Sequence, residues 1–143
     1  MSLAILWLRR DLRLSDNPAL AALRAGKHVL LEKPIAMELA EADDLMTDHT
    51  AAVLIEPIQG EAGVYVPDEG FLSKAYELCK QKNVLFIADE VQTGLARTGK
   101  LLACDHEEVR PDILILGKAL SGGVYPVSVV LADDEIMLCI KPG

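Results

Sequence analysis

Several residue patterns are missing from this sequence, and each absence narrows the reading. Cysteine is scarce: Cys79, Cys104 and Cys139 are an odd number at wide spacing. That excludes a disulfide framework and a paired zinc motif, and it reads as three reduced thiols, mostly in the core, in a reducing compartment. His28, His49 and His106 are equally scattered, so no metal site is expected. Basic residues are in deficit, with 14 Lys and Arg against 22 Asp and Glu and a net charge of −8. A phosphate-backbone partner needs the opposite balance, so no nucleic acid is expected. No apolar run approaches the roughly 20 residues of a membrane span. The arginines of Met1–Arg10 follow the apolar stretch, the reverse of a secretory signal. No GxGxxG and no P-loop lysine motif is present, which argues against nicotinamide and nucleoside-triphosphate cradles.

What is present suits one soluble domain. Apolar residues make up 51% of 143 positions and mean hydropathy is +0.25. Single domains commonly run to about 100–200 residues. Short apolar runs alternate with helical patterns along the chain. Leu3–Leu8, His28–Leu31, Ala51–Ile55, Val84–Ala88, Ile113–Leu116 and Tyr125–Leu131 read as six strands. Helices are expected from Asn17-Pro18 to Gly26, over Met37–Met46, and from an Asp68 cap through Lys82. In the last of these Leu72, Ala75, Leu78 and Cys79 face inward. A short helix is expected within Lys100–Glu108.

Strands that are apolar at consecutive positions are covered on both faces, and the interleaved helices supply that cover. The expected fold is a three-layer αβα domain of Rossmann-like type, with a mostly parallel sheet of about six strands. The last strand follows its predecessor after a Gly-rich turn and is expected to be antiparallel. The expected strand order is 2-1-3-4-5-6.

In an open α/β sheet, ligands bind beyond the carboxyl ends of the strands. Arg9, Arg10, Glu32, Lys33, Glu56, Asp89, Glu90 and Lys118 follow the apolar runs. Glu56 to Asp89 spans 33 positions and Asp89 to Lys118 spans 29, each close to the roughly 30 residues of a βαβ unit. Two carboxylates and an amine therefore fall on neighbouring strand ends. One reading makes Lys118 a structural ion-pair partner of Asp89 or Glu56. The other makes it a Schiff-base lysine, with Asp89 placed for a pyridinium nitrogen.

Three segments of residues 51–143 carry a resemblance: EPIQGEAG at 56–63, FIADEVQTGLARTG at 86–99 and LGKALSGG at 116–123. Residues 51–143 resemble the middle of the class III, fold-type I pyridoxal-phosphate aminotransferases. The resemblance implies that Asp89 pairs with the pyridine nitrogen, Gln92 contacts the ring hydroxyl and Lys118 carries the cofactor. Glu61 would be a substrate-site glutamate and Glu56 a supporting carboxylate. It also implies that the phosphate cradle and the substrate-binding arginine lie outside this sequence, so pyridoxal phosphate is expected to bind weakly if at all.

The first third is similar to other families. AILWLRRDLRLSDNPAL, within residues 3–23, resembles the opening of DNA photolyases and cryptochromes. GKHVLLEKP and the stretch after it, within residues 26–46, resemble the Gfo/Idh/MocA oxidoreductases, whose cofactor-site lysine would be Lys33. Three families in one chain imply βα units at 1–25 and 26–50 joined to an aminotransferase-like segment at 51–143. The expectation is an artificial chimeric scaffold with no native catalysis and at most a vestigial Lys118 site. The alternative is a minimal pyridoxal-phosphate aminotransferase-like domain. Surfaces uncovered by truncation would favour a homodimer or larger assembly.

Overall fold

Continuous apolar runs form strands of one sheet. In the computed structural model, which describes Leu31–Glu32, Asp43, residues 46–61 and residues 63–139, the sheet has five strands. They are β1 (Leu31–Glu32), β2 (Ala52–Ile55), β3 (Leu85–Asp89), β4 (Ile113–Leu116) and β5 (Val129–Ala132), and they lie in that order. β1, β2, β3 and β4 pair in parallel, while β5 returns antiparallel to β4. The expected antiparallel last strand is therefore observed, although it is shorter than Tyr125–Leu131.

The expected strand order needs correction. It placed the strand at residues 3–8 between the second and third strands. Instead β1 pairs directly with β2, with Leu31 opposite Val53 and Glu32 opposite Leu54. No room remains between them, because a parallel neighbour fills the hydrogen-bonding edge of β2. The strand at 3–8 and the helices expected before residue 46 lie outside the described residues, apart from Asp43. Five strands, not six, are found among the described residues.

All four residues of β2 are buried. Its two faces join different clusters. Val53 and Ile55 pack with Phe86, Ala88, Met46, Cys104 and Val109 on one side. Ala52 and Leu54 pack with Ile87 on the other, against Leu85, Ile113 and Ile115. Burial on both faces is the reason the run carries no alternation of polar residues.

Helix α1 (Phe71–Gln81) covers the first face with Leu72, Ala75 and Cys79, while Leu78 is half-buried. Burying one leucine of this kind stabilises the fold by about 1.5–3 kcal/mol. The expected Asp68 cap is not made. The helix begins three residues later from Gly70, whose φ of 82° suits a residue without a Cβ, and no side chain caps it. Asp68 contributes its carbonyl instead, accepting from the Phe71 N–H at 3.1 Å. At the far end the Lys82 and Val84 amides donate to Leu78 and Cys79, at 3.0 and 2.9 Å, and turn the chain into β3. Tyr76 meets Phe86 edge to face at 5.7 Å, fixing the helix on the sheet.

The short helix expected within Lys100–Glu108 is a 3-10 turn, Ala103–Glu107. A second 3-10 turn, Lys118–Ser121, opens the link from β4 to β5. Helix α2 (Asp134–Met137) follows β5. No helix among the described residues is long and apolar enough to cross a membrane. All three cysteines are free thiols; Cys79 and Cys104 are buried and Cys139 is exposed.

Candidate functional site

The parallel register sets the carboxyl ends of β2, β3 and β4 side by side. Ile55 stands opposite Ala88, so Glu56 leaves β2 as Asp89 ends β3. Asp89 in turn stands opposite Ile115, three residues before Lys118. The three segments that sequence spacing brought together thus share one rim of the sheet.

The loop after β2 is tied to itself. Glu56 Oε2 accepts from the Gly60 N–H at 3.1 Å. The Gly60 carbonyl accepts from the Gly63 and Val64 amides, each at 3.2 Å. Gln59 and Tyr65 exchange two backbone bonds, each at 3.0 Å. The loop leaves Glu61 exposed, next to the turn that follows β3.

That turn is held at both ends. Gly94 N–H donates to the Glu90 carbonyl at 2.8 Å, and Glu90 N–H donates to the Ile115 carbonyl at 3.0 Å. The half-buried Asp89 accepts from the Val91 N–H at 3.0 Å through Oδ1, and its second oxygen is uncommitted among the described residues. Gln92 reaches across to the first loop, where its Nε2 donates to Glu61 Oε1 at 3.1 Å.

Lys118 begins its 3-10 turn at φ 39°, a left-handed value that side chains other than glycine rarely hold. The Leu120 N–H donates to the Gly117 carbonyl at 3.0 Å and closes this turn. A Cβ on Gly117 would lie 3.2 Å from Val91 Cγ1, so the glycine lets the end of β4 come close to the turn after β3. Lys118 is exposed and forms no ion pair among the described residues. The structural ion pair with Asp89 or Glu56 is therefore not made.

Glu56, Glu61 and Gln92 are thus joined through Gly60 and the two loops, Asp89 opens the same turn as Gln92, and Lys118 stands on the next strand end without a bond to any of them. An acid, an amide and an amine without an ion pair among the described residues, spread along a rim, fit a planar heteroaromatic cofactor that needs an anion at a ring nitrogen and an amine at its aldehyde.

Sequence reasoning placed Glu90 among the strand-end residues but gave it no role. It is 1% exposed, and its carboxylate accepts from the Cys104 N–H at 2.8 Å and from the Thr93 hydroxyl. Strand alternation is the signal that separates it from Asp89: consecutive positions leave the strand on opposite faces. Burial raises the neighbouring Cys104 thiol far above its usual range, and the Glu90 carboxylate adds to the effect. Burial also pushes the Cys79 thiol up to about 11, with the Asp112 charge adding.

The fold and rim define an α/β protein whose parallel sheet presents a lysine and carboxylates at its carboxyl edge. The family model for class-III aminotransferases matches residues 16–143, and the chain belongs to that family. It is 68% identical over 101 residues to the mitochondrial ornithine aminotransferase of Drosophila melanogaster, covering 71% of this chain and 23% of that protein. Among solved structures, ornithine aminotransferase PY00104 from Plasmodium yoelii matches with TM-score 0.73 at 57% identity, covering 75% of this chain and 29% of that one. The ornithine aminotransferase from Toxoplasma gondii, crystallised with oxidised glutathione, matches with TM-score 0.72 at 51% identity over 82% of this chain and 27% of that one. That structure is described as having partial occupancy of PLP at its active site. The chain spans about a quarter of the length of such relatives.

These matches overturn the artificial scaffold. Identity of 60–69% to natural enzymes over about 100 residues is the mark of a natural aminotransferase domain. The family match also begins at residue 16, within the stretch likened to photolyases, and runs through the stretch likened to oxidoreductases. A chimera with parts from those families is not shown.

Proposed function

We propose that this chain forms the ring-binding part of a pyridoxal-phosphate-dependent aminotransferase acting on ornithine or a similar diamino acid. Bound at the rim, pyridoxal phosphate would supply an aldehyde that exchanges amines and a ring that withdraws electrons. The uncommitted oxygen of Asp89 would accept a hydrogen bond from the protonated ring nitrogen and keep it protonated. Gln92 would meet the ring hydroxyl. Lys118 would hold the cofactor through its side-chain nitrogen and, once freed by an incoming amine, would move a proton at the substrate carbon. Glu61, exposed beside Gln92, would face the substrate, and Glu56 would hold the loop that carries Glu61. The substrate class comes from the names of the relatives.

The observation that carries this reading is the Lys118 amine, without an ion pair among the described residues, on the strand end next to Asp89. The test adds pyridoxal phosphate to the protein, reduces the mixture with borohydride and maps the peptides by mass. The expected product is one cofactor on the Lys118 peptide, with a visible absorption band that Lys118→Ala lacks. Amino transfer from ornithine to a 2-oxo acid is then expected from the parent and not from the variant. Cofactor spread over surface lysines, with no band dependent on Lys118, would overturn the reading.

A further inference from the structure

Gly60 stands where any side chain would strike Gln92. A Cβ on Gly60 would lie 2.3 Å from Gln92 Oε1, 2.7 Å from its Cδ and 3.0 Å from its Nε2. No left-handed φ calls for glycine here. Gly60 is absent from the positive-φ glycines, which are Gly63, Gly70, Gly99, Gly122 and Gly123. With no left-handed φ at this position, the demand for glycine that the structure shows is one of space.

The collision has to be relieved by one of two partners. The loop of Gly60 resists, because the Gly60 N–H is held by Glu56, its carbonyl accepts two amides, and Gln59 is bonded twice to Tyr65. The backbone of the turn under Gln92 resists as well. The Glu90 carboxylate beneath it is buried, and the Gly94 amide closes the turn at 2.8 Å. What can move is the end of the Gln92 side chain. Its displacement breaks the 3.1 Å bond from Nε2 to Glu61 and turns the amide away from its present direction.

We propose that Gly60 is a positioning residue that acts through Gln92: its bare Cα is the wall against which the amide rests, and this contact fixes where Gln92 presents itself to the cofactor. The inference rests on the reading of Gln92 as the contact to the ring hydroxyl. A merely structural glycine would affect folding whatever stands at position 92. A positioning glycine matters only while Gln92 is there.

A double-mutant cycle separates these cases. Gly60→Ala, Gln92→Ala and the double variant are compared by absorbance titration with pyridoxal phosphate, by the position of the visible band, and by melting of the cofactor-free protein. Each single variant is expected to weaken cofactor binding about tenfold, the scale of one hydrogen bond. Both should shift the band in the same direction. The double variant should bind no worse than Gln92→Ala, and Gly60→Ala should recover any lost melting temperature once Gln92 is removed. Additive losses, or an unaltered Gly60→Ala beside an impaired Gln92→Ala, would overturn the role of Gly60 alone. Failure of both Gly60→Ala and the double variant to fold would overturn it too, since the glycine would then serve the loop. If Gln92→Ala binds and absorbs as the parent does, the assignment of Gln92 to the cofactor falls, and the role of Gly60 with it.

Discussion

Asp112 pairs with Phe86 as though it were one more residue of the sheet: its N–H donates to the Phe86 carbonyl at 3.0 Å, and its Oδ2 accepts from the Phe86 N–H at 2.8 Å. The side chain thereby replaces a backbone carbonyl just before β4 begins. Asp112→Ala is expected to leave the Phe86 N–H without a partner beside a fully buried ring, at a cost of about 1–3 kcal/mol. Asp112→Asn retains an acceptor and should cost less. Urea denaturation of the two variants checks the order; equal stability would show that water replaces the carboxylate. Lys80 touches the other oxygen at 2.5 Å, but its side chain is 46% exposed, so Lys80→Met should cost less than about 1 kcal/mol.

Glu90 is the more demanding carboxylate. Glu90→Gln keeps one oxygen for the Cys104 N–H and presents an amide to the Thr93 hydroxyl, which can accept as well as donate. Glu90→Ala leaves the Cys104 N–H unpaired and opens space under the turn. The expected loss is about 2–4 kcal/mol for alanine, from the unmet donor together with the cavity, and roughly 1 kcal/mol for glutamine. Thermal melts of the cofactor-free protein measure both. An alanine variant as stable as the parent would remove Glu90 as the anchor of that turn.

Alkaline pH should weaken the fold. The folded Cys79 thiol titrates near 11 against an ordinary value of 9.0, so the unfolded chain loses this proton first. Stability from the neutral thiol is fully present below pH 9 and is lost as pH rises toward 11. The Asp112 hydrogen bond raises the Lys80 pKa as well, so that contribution also fades on the alkaline side. Denaturation midpoints across this range should fall in the parent and fall less steeply in Cys79→Ala. In the native protein at neutral pH a thiol reagent should label Cys139 quickly, and should label Cys79 and Cys104 only after unfolding.

Asp89→Asn tests charge without shape. Asparagine can still accept from the Val91 N–H through its amide oxygen, so melting should change little. Under the proposed function, the loss of a carboxylate facing the ring nitrogen should lower amino-transfer rate by about a hundredfold. A rate within threefold of the parent would detach Asp89 from the chemistry.

Strand identity was legible because β2, β3 and β4 are apolar at consecutive positions, and the return of β5 followed from the short Gly-rich link. The neighbour of β2 was not, because the runs at residues 28–31 and 3–8 are both short and mostly apolar, and neither says which edge it will fill. The start of α1 was misplaced for a local reason: Asp68 has the chemistry of a cap, yet Gly70 takes the left-handed conformation two residues later and starts the helix there. At the rim, spacing located Glu56, Asp89 and Lys118, since strand ends repeat with the βαβ unit. It could not reveal Gly60, whose importance lies in the space taken by Gln92, or Asp112, whose side chain imitates a carbonyl.

The left-handed backbone at Lys118 has a consequence for protein engineers. A lysine grafted onto the end of another sheet would relax into an ordinary helical or extended torsion and aim its amine elsewhere. Under the proposed function, transplanting the lysine's role requires the whole hairpin, with the slim residue before the lysine that admits the neighbouring turn and the glycine pair that carries the chain back. The amine is portable only as part of that geometry.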